Sequence, residues 1–255
     1  MKRRPLIALL ACVAFLVTGA AWAAQQETET FHKAVPLPSG GSVSLHNFSG
    51  KVHIVGTDGN QVVIDAVRQG TRERLGRIKL EVETSGSTVK IEANRRDPSW
   101  SSWRGDNVVK TEFEIQMPRS AALEVNVFSS PVTVAGITGR IEVDGFSSDV
   151  AIERAAAPVK VKTFSGGINV QVVAETVRPD LDLHTFSGDI DVRMPASVSA
   201  EVDFDSFSGD LDSDVPMTLR SKSRRSFRAQ LNGGTPGPGG ALRLKTFSGD
   251  VRLLK

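Results

Sequence analysis

A short tripeptide, Phe-Ser-Gly or Phe-Ser-Ser, recurs seven times in 255 residues, at Phe48, Phe128, Phe146, Phe164, Phe186, Phe207 and Phe247. From Phe128 to Phe207 the intervals are 18, 18, 22 and 21 residues, and the last step is 40. Self-similarity near 20 residues restricts the fold to small units stacked on copies of themselves, each too small to bury an apolar face alone.

Registering the copies on the Phe gives the shape of the unit. Five and three residues before it the chain is apolar, as at Val159 and Val161, Leu181 and Leu183, Leu242 and Leu244. Four and six residues after it come pairs such as Ile168 and Val170, Ile190 and Val192, Val251 and Leu253. Each period-two pattern marks a short strand with one buried face. The two alternations are out of phase across the Phe, which places a corner or bulge there, with the following Ser-Gly as permissive backbone. The expected rung is strand, corner, strand, turn, with the seven Phe as structural corners. Phe128, Phe146, Phe164, Phe186 and Phe207 are expected to form one buried column. Outward positions alternate in sign up the expected stack. Glu142, Lys160, Asp182, Asp203 and Arg243 stand four before the Phe, with Asp182 over Asp203 as the exception.

The fold class is therefore all-β, a single-stranded β-solenoid with a less regular β-rich opening section. Residues 1–24 read as a secretory signal peptide: Lys2, Arg3 and Arg4 precede an apolar run from Leu6 to Val17, followed by Ala21-Trp22-Ala23. An uncleaved anchor is the lesser reading, the run being short for a membrane span. Cleavage removes the sole cysteine, Cys12, and changes the formal charge from +2 to −1. The mature chain then has no thiol chemistry, no disulfide and no transmembrane segment, and no net charge that favours nucleic acid. Residues 25–42 are a polar lead-in. Irregular rungs run over 43–120, with a hairpin turning at Ser85-Gly86-Ser87 and a helical turn near 71–76. Regular rungs fill 121–215, a basic and Gly/Pro-rich excursion covers 216–240, and a final rung spans 241–255.

Three groups of residues are candidates for function. The loop holding Trp100, Trp103 and Arg104 has the composition that grips a sugar ring or a protein partner; alternatively its Trp pair caps the core. The basic run from Arg220 to Arg228, with Arg224 and Arg225 at its centre, is either an anion-binding patch or an edge strand blunted by charge. Asp189 and Asp191, with Asp210 and Asp212 at the same offsets after the next corner, form two stacked acidic pairs if consecutive rungs are neighbours. Such oxygens suit Ca²⁺, or a pectinase-like hydrolase with paired carboxylates on adjacent rungs. Solvated turn aspartates are the plainer reading. No nucleophile elbow, phosphate loop or metal-spaced His pair occurs, and no cofactor is expected.

The repeated Thr-Phe-Ser-Gly-Asp at Thr185 to Asp189 and Thr246 to Asp250, with variants at Thr163 to Gly167 and Ser206 to Asp210, resembles the bacterial "putative adhesin" domain of unknown function over about residues 40–255. The resemblance implies a right-handed, pectate-lyase-like β-solenoid with an adhesion or cell-envelope role and no catalytic residues. The reading that follows is a non-enzymatic, exported module, periplasmic, envelope-bound or extracellular, that binds an envelope protein or polysaccharide through a flat charged face. The two rungs with Phe-Ser-Ser, at Ser130 and Ser148, put a positive φ at their corners in doubt.

Overall fold

The structure, a computed structural model, describes residues 26–96, 108–173, 179–223, 225–232 and 240–255. Residues 1–24, read above as a signal peptide, fall outside them. The described chain opens with β1 (Gln26–Pro36), β2 (Ser42–Ser49), β3 (Val52–Thr57) and β4 (Gln61–Thr71). One helical turn, α1 (Arg72–Arg77), is capped by the Thr71 hydroxyl. The hairpin β5 (Ile78–Ser85) and β6 (Thr88–Arg96) precedes β7 (Lys110–Pro118). The regular rungs are β8 (Ala122–Ser129) with β9 (Val132–Ala135), β10 (Ile141–Ser147) with β11 (Val150–Ala155), β12 (Val159–Ser165) with β13 (Ile168–Val172), and β14 (Asp180–Ser187) with β15 (Ile190–Arg193). Next come β16 (Ala200–Ser208) with β17 (Leu211–Ser213), then β18 (Met217–Lys222) and β19 (Ser226–Leu231), and finally β20 (Gly240–Ser248) with β21 (Val251–Leu254).

The strand before each corner joins an 11-stranded sheet and the strand after it a 10-stranded sheet. In the regular rungs the pairing is parallel and in register, so like positions form columns: Val143, Val161, Leu183 and Leu244 in one sheet, Val134, Ile152, Val170 and Val192 in the other. These apolar columns are fully buried and face one another in one continuous core. The lead-in also belongs to the sheet, as β1 pairs antiparallel with β4.

The order of rungs in space departs from the order in sequence at both ends. β20 lies between β14 and β16, and β21 between β15 and β17. The rung latest in sequence is thus internal to the stack. At the other end β6 and β7 flank β2 and β3 on the side away from β8 and β9. Beyond the outer rungs the pairing becomes antiparallel: β5 on β6, β4 on β7, β19 on β16 and β18 on β19. β18 carries Arg220 and Lys222 at the sheet's edge, where charge discourages pairing with another chain.

This order removes the apparent charge exception. Arg243 sits between Asp182 and Asp203, so opposite signs alternate across those strands in that column, while in the next Lys245 lies between His184 and Asp205.

Candidate functional site

The expected buried Phe column is corrected by the structure. The strand before the corner does not slip phase at the Phe; β14 runs straight through Phe186 to Ser187. Its inward residues are Leu181, Leu183 and Thr185, five, three and one before the Phe. The Phe itself therefore points outward with the charged positions. Phe128, Phe146, Phe164, Phe186, Phe207 and Phe247 are 43–51% exposed.

The rings are nonetheless in contact. Phe48, Phe128, Phe146, Phe164, Phe186, Phe247 and Phe207, in that order, stack with centroids 4.6–5.1 Å apart and planes within 11° of parallel. The spacing is that of the strands that carry them, and the ladder extends roughly 30 Å. Phe186 touches Phe247, not Phe207 as sequence order would have it. At one end the Arg225 guanidinium lies over the Phe207 ring, 3.8 Å from its centroid, a cation–π closure of the last face. Interior faces are covered by neighbouring rings, so the ladder presents ring edges to solvent.

Beside the rings runs the column two residues before them. Near Phe186, Phe247 and Phe207 the two columns flank a shallow groove of about 480 Å³, lined also by Lys162, His184 and Lys245. A second groove of about 350 Å³ lies near Phe48 and Phe128, beside His46, Asn126 and Asp144.

The corner that holds each ring is built by close rung-to-rung contact. At Gly188, φ is 150° and a Cβ would stand 2.3 Å from the Gly166 carbonyl oxygen, so no side chain fits. The preceding Thr185 hydroxyl donates to that same carbonyl at 3.2 Å. The Phe-Ser-Ser corners use a different solution. Ser130 and Ser148 have no positive φ; both are buried, and the Ser148 hydroxyl accepts from the Ser130 backbone N–H at 3.1 Å. Room for Ser148 comes from Gly145 in place of the usual Thr, where a Cβ would stand 3.0 Å from the Ser148 Cβ.

The aspartates after the corners belong to this construction. Asp149 Oδ1 accepts from the Gly167 backbone N–H at 2.8 Å, Asp189 Oδ1 from Asp250 at 2.9 Å, and Asp250 Oδ1 from Asp210 at 3.1 Å. The expected stacking of Asp189 on Asp210 and Asp191 on Asp212 is also corrected, because β21 intervenes. Arg252 is the register neighbour of both Asp191 and Asp212, and its guanidinium contacts Asp189 and Asp191 at 3.4 Å each. A cation already occupies the middle of the acidic group, and it is an arginine.

Trp100, Trp103, Arg104 and Arg224 lie outside the described residues. One further grouping has no counterpart among the candidates drawn from sequence. His32, Asp65, Glu114 and His53 form a transverse row across β1, β4, β7 and β3. His32 Nδ1 is 2.7 Å from Asp65, and His53 Nδ1 is 2.6 Å from Glu114. Each imidazole thereby sits at hydrogen-bond distance from one of two carboxylates that face each other across the strands. Four separate strands supply the row, so no local spacing announces it. Among the described residues no three His, Cys, Asp or Glu side chains are placed to hold a metal ion, and no helix is long and apolar enough to cross a membrane.

Fold and surface together define a class: a β-solenoid-like repeat module whose outer face carries a continuous aromatic ladder. The chain belongs to the family described as Toastrack DUF4097, whose model matches residues 78–254. No curated protein matches it in sequence. Among solved structures it is similar to a "putative cell adhesion protein" from Clostridium sporogenes, at 10% identity over 89% of this chain and 99% of the other, with a TM-score of 0.45. It is similar also to a "putative adhesin" from Bacteroides fragilis, at 11% identity over 89% and 97%, with a TM-score of 0.32.

Proposed function

We propose that the chain is a non-enzymatic, adhesin-like or scaffolding module of the exported, cell-envelope kind, and that its contact surface is the phenylalanine ladder with the charged columns beside it. The observation that carries this reading is the exposure of six stacked rings in one stripe. Half-exposed rings of ordinary size amount to roughly 500 Å² of apolar surface, near the upper end of what a monomer shows and typical of an interaction site. The reading is supported further by the engagement of Asp189, Asp191, Asp210 and Asp250 in rung-to-rung contacts. The carboxylates of Asp189, Asp191 and Asp250 are thus used between rungs, which favours this reading over a pectinase-like or calcium-binding one.

The ladder also bears on the kind of contact. Sugar recognition by aromatic residues lays the pyranose on an open ring face, and here interior faces are closed by the stack. Edges suit apolar side chains of a protein surface, with the flanking charges setting register. The test is sedimentation of purified residues 25–255 with envelope fragments. The Phe146→Ser/Phe186→Ser variant should lose most binding, whereas Asp58→Asn, at an exposed turn, should not. Equal binding by all three would overturn the reading.

A further inference from the structure

The same face has a charge pattern that selects a partner. Moving along the ladder from β8 to β10, the outward positions four and two before the Phe are Glu124, Asn126, Glu142 and Asp144, without a basic residue among them. From β12 through β14 to β20 they include Lys160, Lys162, Arg243 and Lys245, against the single acid Asp182. Beyond Lys245 the sign returns and is balanced, Asp203 pairing with Arg228. The centre of the face is therefore a dipole laid along the ladder, acidic beside Phe128 and Phe146 and basic from Phe164 to Phe247.

We propose that the ladder face binds a second copy of this chain, ladder against ladder, in an antiparallel two-fold dimer. The inference rests on the ladder being the contact surface and adds the identity of what it contacts. A two-fold axis perpendicular to the ladder turns the acidic half of one copy onto the basic half of the other and keeps the charged columns on the same side. An isologous interface of this kind needs a patch complementary to its own inverted image, and a stripe of equivalent rings flanked by opposite charges is such a patch.

The charges also favour a register over the two adjoining it. With the axis between Phe146 and Phe164, Asp144 of each copy faces Lys162 of the other, and the Glu142–Lys160 pair within each copy lies against its counterpart. Moving the axis onto Phe164 would set Lys162 against itself, and moving it onto Phe146 would set Asp144 against itself. The rings of both copies contribute roughly 1,000 Å² in total, and the flanking columns raise this into the range of specific interfaces. An anionic membrane is the poorer occupant, because the acidic half would face lipid of its own sign.

The test is sedimentation velocity on residues 25–255 across a concentration series. Wild-type protein should form dimers that weaken as salt is raised. Glu142→Lys/Asp144→Lys makes the centre uniformly basic, and Lys160→Glu/Lys162→Glu makes it uniformly acidic. Each variant alone should dimerise at least roughly tenfold more weakly, and an equimolar mixture should form a heterodimer at or above wild-type affinity. Restoration by mixing cannot come from misfolding, and exposed charges contribute little to folding in any case. A wild-type protein monomeric at every concentration, or dimers indifferent to both charge variants, or a mixture that stays monomeric, would each overturn the proposal. If the protein is monomeric yet Phe146→Ser/Phe186→Ser still abolishes envelope binding, the contact surface stands and only the second copy is wrong. If neither assay responds to the ring variant, both readings fail.

Discussion

Asp189 Oδ1 accepts a hydrogen bond from the backbone N–H of Asp250, sixty-one residues later in the chain, at 2.9 Å. An aspartate that closes a backbone contact between rungs is structural, and its replacement has a defined signature. Asp189→Ala should lower stability by about 1 kcal/mol, the ordinary net value of such a bond. Asp189→Asn keeps an acceptor and should cost less. Because Arg252 already offsets the local charge, asparagine should not raise stability through relief of repulsion. Added calcium should leave Tm unchanged; a calcium-dependent rise that disappears in Asp189→Asn/Asp191→Asn would restore the metal reading.

Gly188 is the corner glycine of its rung, whereas Gly167 stands one residue past its own corner glycine, Gly166, where the next rung carries Asp189. An alanine Cβ at Gly188 would stand 2.3 Å from a backbone carbonyl, whereas at Gly167 the nearest heavy atom is 3.7 Å away. Gly188→Ala should cost about 3 kcal/mol or more, combining overpacking with a positive φ. Gly167→Ala should stay within about 1 kcal/mol, the ordinary range where nothing is crowded. Urea midpoints of the two variants, at equal m-values, decide the matter.

Phe164 is held between Phe146 and Phe186 but only half covered. Full burial of such a ring would make Phe164→Ala cost about 3–5 kcal/mol. With half the surface in water, the loss should be about 2 kcal/mol, drawn from partial burial and two stacked contacts. A measured loss near the higher figure would mean that the ladder is covered in solution.

Lys160 donates a hydrogen bond to Glu142, and this contact holds the Glu142 carboxyl below its ordinary range, against a smaller opposing effect of burial. A carboxylate depressed in the folded state stabilises above its unfolded value, and that stabilisation is lost as pH falls through the folded value. Glu142→Gln should therefore be less stable than wild type at neutral pH, and the gap should close as the solution is acidified below about 4.3. Equilibrium unfolding at several pH values would expose a gap that is constant or reversed.

The inward columns are legible in the sequence because each rung repeats them. Period and offset alone assign Leu181, Leu183, Ile190 and Val192 to the core, and all four are buried. The orientation of the Phe is also encoded, though less openly. Residues one, three and five before it share a face, so the Phe must take the other; the polar but buried Thr185 hides the pattern. The corner begins after the ring, where Gly188 meets its neighbour. Rung order is not legible in the repeats, since units of equal width stack equally well in any order. The 40-residue gap between Phe207 and Phe247 is the one visible trace of the change. Sequence order therefore puts Asp189 over Asp210 when β21 in fact divides them, and the seam from His32 to His53 leaves no trace because its members come from four strands.

The interleaving of β20 and β21 between rungs that precede them has a consequence for synthesis. Residues 200–213 leave the ribosome before residues 240–254, yet end up outside them in the stack. Forty residues of elongation separate Phe207 from Phe247, roughly two to eight seconds at ordinary rates. Throughout that interval β14 and β15 present bare edges to whatever is near, and the later rung must enter a gap still held open or force apart strands that have already paired. The chain thus cannot mature progressively from its start, as a simple stack would. The rung latest in sequence is the keystone, and until it is set the open edges of β14 and β15 are exposed to mispairing.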